Sequence, residues 1–333
     1  MATGNAISHC TLGTPRTRTR TDRALQRPSN HQPCESDSRA SFMNISADLP
    51  LSPGLMEDTC KERKLLSFLF YQAVRDHKPV WMLEDMRNME TFHWEDSSQQ
   101  RTYSPSEALL YAIVHDHRAY AQYLLNQFSD GALAMPGERF CCCAPSAPHL
   151  AMAVRYDRKD IMALILQVAH RMPALRSYMD RGGCNHMEDG KTPLHLACEL
   201  SHSEAVVLLL GNGASPHAED HNGMTPLDLT LEQLWTSKVN TRAKEMCLES
   251  LLMFMPRVQF KMKSALQKDP QCWSEVLGEE TFNYLVGRNP GTLFLVAMQK
   301  ILSQLPPQEF PQSLDKLPIP ASLKSFTQSL MQT

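Results

Sequence analysis

Apolar residues recur along the middle of the chain, from Lys61 onward, at helical rather than strand spacing. A small alanine is followed, twelve residues later, by a pair of large apolar residues in three places. These places are Ala112 with Leu124-Leu125, Ala153 with Ile165-Leu166, and Ala197 with Leu209-Leu210. Spacings of this kind put apolar side chains on one face of a helix. The pattern predicts an all-α chain of repeated helix pairs, with the small residue where two helices cross.

The clearest copy begins at Asp189 and reads DGKTPLHLAC. Pro193 suits the first turn of a helix, where its missing N–H would have no partner. The Thr192 hydroxyl can cap this helix, and His195 can bond both that hydroxyl and the neighbouring copy. Gly213 fits the left-handed residue that ends the second helix of the pair. We therefore predict that His195 is a scaffold residue and not a ligand.

This segment resembles an ankyrin repeat, whose order is D-G-x-T-P-L-H-x-A followed by L-L-x-x-G-A. The string Thr225-Pro226-Leu227 lies 33 residues after Thr192-Pro193-Leu194, which is the ankyrin period. Residues 70–76 read as a worn earlier copy. The copies upstream are spaced further apart than this period, which predicts inserted loops at Gly131–Pro148 and Arg171–Met187. The resemblance implies an irregular ankyrin-repeat solenoid, and further helical segments are predicted at Glu245–Phe254 and Trp273–Val286, with a helix start at Asn289-Pro290.

The C-terminal part of the chain carries a second pattern. Leu293, Ala297 and Ile301 are four residues apart, so a helix stacks them on one face. Because residues 293–298 are all apolar, such a helix needs cover on more than one side. A partner protein could supply that cover. The alternative is an amphipathic helix that packs on its own domain, followed by a Pro-rich tail.

This tail resembles the suppressor-of-cytokine-signalling box, the docking segment of ubiquitin-ligase substrate receptors. Its first half, the elongin box, is matched by Thr292, Leu293, Ala297 and Ile301, with Ala where the family usually has Cys. Its second half, the cullin box, is matched by Leu317, Pro318, Ile319 and Pro320, followed by Leu323 and Phe326. The resemblance implies a small helical docking box at the C-terminal end of the solenoid.

The same resemblance implies the partners. The first half would bind the elongin B and elongin C pair, and the second a cullin with its RING protein, cullin-5 rather than cullin-2. The repeats would hold a protein substrate, so the implied function is substrate recognition for a cullin-RING ubiquitin ligase. The alternative function is an ankyrin scaffold or inhibitor that binds a partner without degrading it. We expect a cytoplasmic protein, with the nucleus as a second location.

The substrate surface is predicted from the architecture. Ankyrin stacks present a concave groove in which hairpin tips and inner helices make the contacts. The tip after the clearest repeat carries His217, Glu219, Asp220 and His221. Its charge and lack of bulk favour polar recognition of the substrate, and an inert solvated turn is the alternative.

The rest of the chemistry argues against an enzyme. The formal net charge of −3 gives no reason to expect nucleic acid or a membrane surface as the main partner. We find no Gly-rich phosphate loop, nucleophile elbow or His-Glu-x-x-His pair. We therefore predict no catalytic residues and no cofactor.

Three clusters could be taken for metal ligands. They are Cys141–Cys143 with His149, Cys184 with His186, and His115–His117. Adjacent cysteines cannot easily aim two thiolates at one tetrahedral metal, so buried or loop thiols are the preferred interpretation. The histidine cluster falls where a repeat turns between its helices. We predict no metal site.

The predicted organisation has four parts. A basic tail rich in Ser, Thr and Pro covers 1–60, degenerate ankyrin repeats cover 61–235, a helical cap and connector covers 236–288, and the docking box covers 289–330. The composition of the tail predicts disorder. A transit peptide is the alternative for its basic part, although no amphipathic pattern supports it.

Overall fold

A computed structural model describes residues 69–88, 103–136, 146–175, 177–183, 189–318 and 320. All the regular structure in these residues is helical, in agreement with the all-α prediction. Several predictions lie outside the described residues. They concern the tail over 1–60, the thiols of Cys141–Cys143 and Cys184, His186, Ile319, Leu323 and Phe326.

Four helix pairs follow one another along the chain. They are α1 (69–75) with α2 (Val80–Asn88), α3 (Pro105–Val114) with α4 (Arg118–Phe128), α5 (Pro148–Arg155) with α6 (Lys159–Arg171), and α7 (Pro193–Glu199) with α8 (Ser203–Gly211). The long connections between pairs contain short 3-10 segments at Ser129–Leu133, Pro173–Leu175 and Tyr178–Asp180. The inserted loops predicted from the long strides therefore fall between the pairs.

The four pairs share one turn geometry, which confirms the predicted phase of the repeats. The residues with positive φ at the turns are His77, Asp116, Asp157 and Ser201. Each lies four residues after a small alanine, and the next residue donates its N–H to the carbonyl of that alanine at 2.8–3.0 Å. The four alanines are Ala73, Ala112, Ala153 and Ala197. The worn copy over 70–76 is thus a true repeat.

Side chains at these turns link one pair to the next. The imidazole Nε2 of His117 lies 3.0 Å from the carbonyl oxygen of Lys78 in the preceding turn. At the equivalent position, Arg158 donates to two carbonyls of the turn before it. The Nδ1 of His202 lies 3.0 Å from the carbonyl oxygen of Val154. These bonds connect the turn of each pair to the turn of the pair before it.

The cap predicted at Thr192 is present. The Thr192 hydroxyl lies 2.7 Å from Nδ1 of His195, and the His195 Nε2 lies 3.0 Å from the carbonyl oxygen of Met224 in the next repeat. Burial lowers the pKa of His195 below its ordinary value, so the neutral ring is favoured. The scaffold role predicted for this histidine is confirmed.

Seven further α-helices follow in the residues that the structure describes. They are α9 (Pro226–Thr236), α10 (Thr241–Phe254), α11 (Lys263–Lys268), α12 (Pro270–Leu277), α13 (Glu279–Val286), α14 (Leu293–Leu302) and α15 (Gln312–Asp315). Asp228 in α9 accepts hydrogen bonds from the backbone N–H groups of Lys261 and Met262, at 3.0 and 2.7 Å. This carboxylate fixes the segment before α11 on the end of the repeat stack.

Two boundary predictions in this region are wrong. The segment Trp273–Val286 is two helices, because Gly278 adopts a φ of +78° and separates α12 from α13. The helix expected to start at Asn289-Pro290 begins at Leu293 instead. Its N-cap residue is Thr292, which has the role that Thr192 has for α7. The Thr292 hydroxyl accepts from the backbone N–H of Leu295 at 3.1 Å.

His149, a member of one suggested metal cluster, is fully buried between repeats. Its Nε2 lies 3.0 Å from the carbonyl oxygen of Ser106, and its Nδ1 lies 3.3 Å from the hydroxyl of Tyr178. Both ring nitrogens therefore have protein partners. Burial lowers the pKa of His149 to about 4.

This burial predicts a pH dependence of stability. In the unfolded chain the pKa of a histidine is about 6.5, so between pH 6.5 and 4 the unfolded state binds the extra proton. The stability that the buried, neutral His149 provides is therefore fully present above pH 6.5 and is lost as the pH falls from 6.5 toward 4. We expect His149 alone to lower the free energy of unfolding by about 1 kcal/mol between pH 7.5 and 5.5.

Urea unfolding at the two pH values measures this effect. The variant His149→Gln should show a pH dependence smaller by about 1 kcal/mol, because the titrating group is gone. The variant His217→Gln, at an exposed position, is the matched control and should keep the wild-type dependence. If the free energy of unfolding changed by the same amount between the two pH values in wild type and in His149→Gln, the prediction would be contradicted.

Candidate docking surface

The helix α14 is attached to the rest of the protein along one side. Met298, Gln299 and Leu302 are buried on this inner face. The Gln299 side-chain amide donates to the carbonyl oxygens of Leu252 and Met255, at 2.8 and 3.1 Å, at the C-terminal end of α10. These bonds satisfy carbonyls at a helix end and set the position of α14 on α10.

A second cluster of buried apolar residues, separate from the main core, lies beneath α14. It consists of Val207, Met253, Met298, Leu302, Phe310 and Leu314. These residues come from α8, α10, α14, α15 and the segment before α15. The C-terminal segment is therefore built onto the last complete repeat.

The contact between Phe310 and Gly211 shows how close this packing is. A Cβ atom placed on Gly211 would lie 2.2 Å from the Phe310 ring. The glycine at the end of α8 thus leaves the space into which the aromatic ring fits. Phe310 also makes an edge contact with Phe254 of α10, with ring centroids 6.2 Å apart.

The opposite side of α14, its outer face, is apolar and uncovered. The side chain of Leu293 is 87% exposed, the largest value among the exposed large apolar residues of the described chain. Phe294 and Val296 are 45% and 48% exposed, and Ala297 is exposed as well. The six-residue apolar run therefore has cover on one side only.

The four residues of the elongin-box match occupy different environments. Thr292 uses its hydroxyl to cap α14, while Leu293 and Ala297 lie on the outer face. Ile301 is half-buried and packs against the second cluster. The two interpretations of this helix, packing on its own domain and cover by a partner, thus each apply to one of its faces. The inner face packs on the chain's own domain, and the outer face is available to a partner.

The residues matched to the cullin box begin at Leu317, which follows α15 and Lys316. Leu317 is half-buried against the second cluster, and its backbone N–H donates to the carbonyl oxygen of Leu314 at 3.2 Å. Pro318 and Pro320 are exposed. The second cluster thus brings the start of this segment and the inner side of α14 together in one packed unit.

The hairpin tip predicted to contact a substrate is only partly available. His217, Glu219 and His221 are exposed. Asp220 is buried, and its Oδ1 accepts from the backbone N–H groups of Asn222 and Met224, at 2.8 and 2.9 Å. This carboxylate closes the turn, so the geometry removes Asp220 from the predicted contact residues.

The suggested ligand cluster His115–His117 lies at the turn of the second repeat. Both ring nitrogens of His117 have backbone partners, the carbonyl of Lys78 and the N–H of Tyr120. In the part of the chain that the structure describes, no group of three His, Cys, Asp or Glu residues is arranged to hold a metal ion. None of the described helices combines the length and apolar character that a membrane span needs.

The stacked helix pairs, the TPLH cap and the shared turn define an ankyrin-repeat protein. A model of the ankyrin repeat family matches residues 189–221, the clearest copy in the sequence. The chain is also 42% identical over 292 residues to ankyrin repeat domain-containing protein 9 of Mus musculus. This similarity covers 79% of the chain and 90% of that relative. The chain therefore belongs to the ankyrin-repeat family in which that protein is found, a class of scaffolds for protein interaction.

Proposed function

We propose that the protein is the substrate-recognition subunit of a cullin-RING ubiquitin ligase. In this proposal the repeats hold a protein substrate, α14 binds the elongin B and elongin C pair, and the segment from Leu317 to Pro320 contacts cullin-5. The chain carries out no covalent chemistry itself. It raises the effective concentration of a substrate lysine near the ubiquitin-loaded enzyme.

The outer face of α14 is the observation that carries the proposal. Ten large apolar side chains are exposed in the described residues, and three of them lie within four successive positions at the start of this helix. Single exposed apolar residues are normal on a protein surface, whereas a contiguous group marks an interaction site. Because the inner face fixes α14 on α10, the outer face is presented on a rigid support.

The proline residues after α15 support the cullin contact. Pro318 and Pro320 restrict φ to about −65° and so favour an extended backbone. Less conformational entropy is then lost when this segment binds. Pro318 directly follows Leu317, which is anchored on the second cluster. The segment therefore leaves the packed unit in a direction that the cluster helps to set.

Copurification from cells tests the proposal. Wild-type protein should bring down elongin B, elongin C and cullin-5, and its substrate should be ubiquitylated. A scaffold or inhibitor would instead leave the turnover of its bound partner unchanged. If neither elongin nor cullin copurifies with wild type, the proposed function is wrong and the scaffold function takes its place.

Changing Leu317 and Pro318 together to Ala should abolish cullin capture and leave elongin capture intact. Neither residue lies on the outer face of α14, and retained elongin capture would show that the second cluster still holds α14 after Leu317 is truncated. The substrate should still bind, and its abundance in cells should rise because ubiquitylation stops. Lys316→Ala, with an exposed side chain beside the pair, is the matched control and should behave as wild type. Normal cullin capture by the double variant would contradict the prediction.

A further inference from the structure

The first helix pair has no preceding pair in the described residues, and its outward side is open. In each later pair, the residue four positions after the positive-φ residue of the turn is fully buried. These three residues are Tyr120, Ile161 and Ala205. The equivalent residue of the first pair is Trp81, whose side chain is 69% exposed. A position that is packed inside the stack elsewhere is thus uncovered here.

The contacts of Tyr120 show the direction in which this position faces. Its hydroxyl donates to Glu84 of the preceding pair at 2.8 Å, and its ring centroid lies 6.5 Å from that of Phe70. The position therefore faces backward, toward the pair before it. By equivalence Trp81 also faces backward, and Leu83, about 200° further around α2, is fully buried.

Two further backward-facing positions of the first pair are open. Leu69 is 42% exposed, whereas its equivalents in the later pairs, Ala108, His149 and Pro193, are buried. Lys78 is exposed as well. Its equivalents bond to the turn of the preceding pair, and they are His117, Arg158 and His202. The first pair thus presents a surface that each later pair covers with its neighbour.

An acidic residue distinguishes this surface from those between the later pairs. Asp85 lies one turn after Trp81 on the same side of α2 and is exposed. The equivalent residues of the later pairs are fully buried and apolar, and they are Leu124, Ile165 and Leu209. A purely apolar cover would bury the Asp85 carboxylate without a partner, which is unfavourable. The element that covers this surface must therefore bring a cation. We call the surface formed by Leu69, Lys78, Trp81 and Asp85 the end face.

We propose that the end face binds the end face of a second copy of the chain. The surface is self-complementary, because Trp81 lies three residues after Lys78 and four before Asp85. A two-fold axis close to Trp81 sets the two α2 helices antiparallel. It places Lys78 of each copy against Asp85 of the other, so each carboxylate receives a cation. The side chains of Trp81 and Leu69 from both copies form the apolar centre of the contact.

The opposite end of the stack favours this head-to-head arrangement. There, Asp228 of α9 accepts hydrogen bonds from the backbone N–H groups of Lys261 and Met262, so the segment before α11 covers that end. A second copy therefore cannot add its first pair behind the last pair and continue the stack. Pairing of two end faces uses the same surface twice and closes the assembly at two chains.

Sedimentation equilibrium of the purified full chain tests the proposal. Wild type should dimerise reversibly, and Trp81→Ala should weaken dimerisation about 10-fold or more. Lys78→Glu and Asp85→Lys should each weaken it by about as much, because each sets like charges against one another at two places. Val239→Ala truncates another side chain that is 69% exposed, between α9 and α10, and is the control that should dimerise as wild type does. All four variants should keep the helical circular dichroism of wild type, since the altered side chains are exposed.

A mixture of the two charge variants gives a readout that is specific for the two-fold contact. A mixed dimer of Lys78→Glu with Asp85→Lys again has opposite charges at both places. The mixture should therefore dimerise about as strongly as wild type, although neither variant does so alone. One chain that carries both changes should also dimerise. A contact within one chain, or with a different protein, would not be restored by mixing.

Three results would overturn the proposal. The first is a wild type that stays monomeric up to about 100 μM. In that case, a melting temperature lowered by Trp81→Ala would show that the chain itself covers the end face. The second is a dimer that Trp81→Ala leaves as strong as in wild type, which would place the contact on another surface. The third is a mixture of the two charge variants that stays monomeric.

Discussion

Replacing Leu293 by Ala should weaken binding of the elongin B and elongin C pair by about 2–4 kcal/mol, the range of a central interface residue. The side chain is 87% exposed in the free protein and makes no contribution to either buried cluster. Its truncation should therefore leave the melting temperature unchanged. The measurement is a titration of the purified full chain, with thermal melting of the same sample.

Measuring both the affinity for the elongin pair and the melting temperature makes this prediction specific for the outer face of α14. Leu200→Ala, at a position 41% exposed in the fourth repeat, provides a leucine truncation away from α14 and should affect neither readout by much. Undiminished binding by Leu293→Ala would show that the outer face of α14 is not the elongin contact. A fall in melting temperature would show that Leu293 is buried in solution by part of the chain itself.

Replacing Leu209 by Ala should lower the free energy of unfolding by about 2–5 kcal/mol. Leu209 is fully buried in α8, where it belongs to the main core, and its carbonyl accepts from the backbone N–H of Ala214 at 3.0 Å. Removing its isobutyl group leaves a cavity that the packed repeats can only partly close. Urea unfolding of the full chain, compared with Leu200→Ala, measures the effect.

The same substitution tests how far the C-terminal helices depend on the repeats. Val207 in α8 belongs to the second cluster beneath α14, two residues from Leu209. Loosening α8 should therefore weaken the attachment of α14 as well, and elongin binding should be lost in the same urea transition as the helical signal. An unchanged free energy of unfolding would mean that the assigned phase of the repeat core is wrong.

The repeats could be predicted from the sequence because their signals are local. A Thr that caps, a Pro in the first turn and a small Ala at the crossing each act within a few residues. The same reasoning identified residues 70–76 as a worn first copy, although little of the motif remains there, and the structure places the turn of this pair at His77. Boundaries were harder, since the break at Gly278 depends on one backbone conformation within a continuously helical pattern.

The outer face of α14 could be predicted only in part. Periodicity placed Leu293 and Ala297 together, but an unbroken apolar run does not say which side will be covered. That choice depends on Gln299 and its bonds to the end of α10, which are tertiary contacts. The burial of Asp220 was missed for a similar reason, because its carboxylate closes the turn by bonding backbone two and four residues onward.

The shared core beneath α14 also determines how this segment can be used in protein engineering. A peptide that starts at Thr292 would carry Met298, Leu302 and Phe310 with nothing to cover them, and the Gln299 amide would lose both carbonyl partners. Fused behind an unrelated domain, this peptide should fold poorly and aggregate through its uncovered apolar side chains. A version of this segment that folds when transferred would need to begin early enough to include α8 and α10, so that Gly211 and Met253 are part of it.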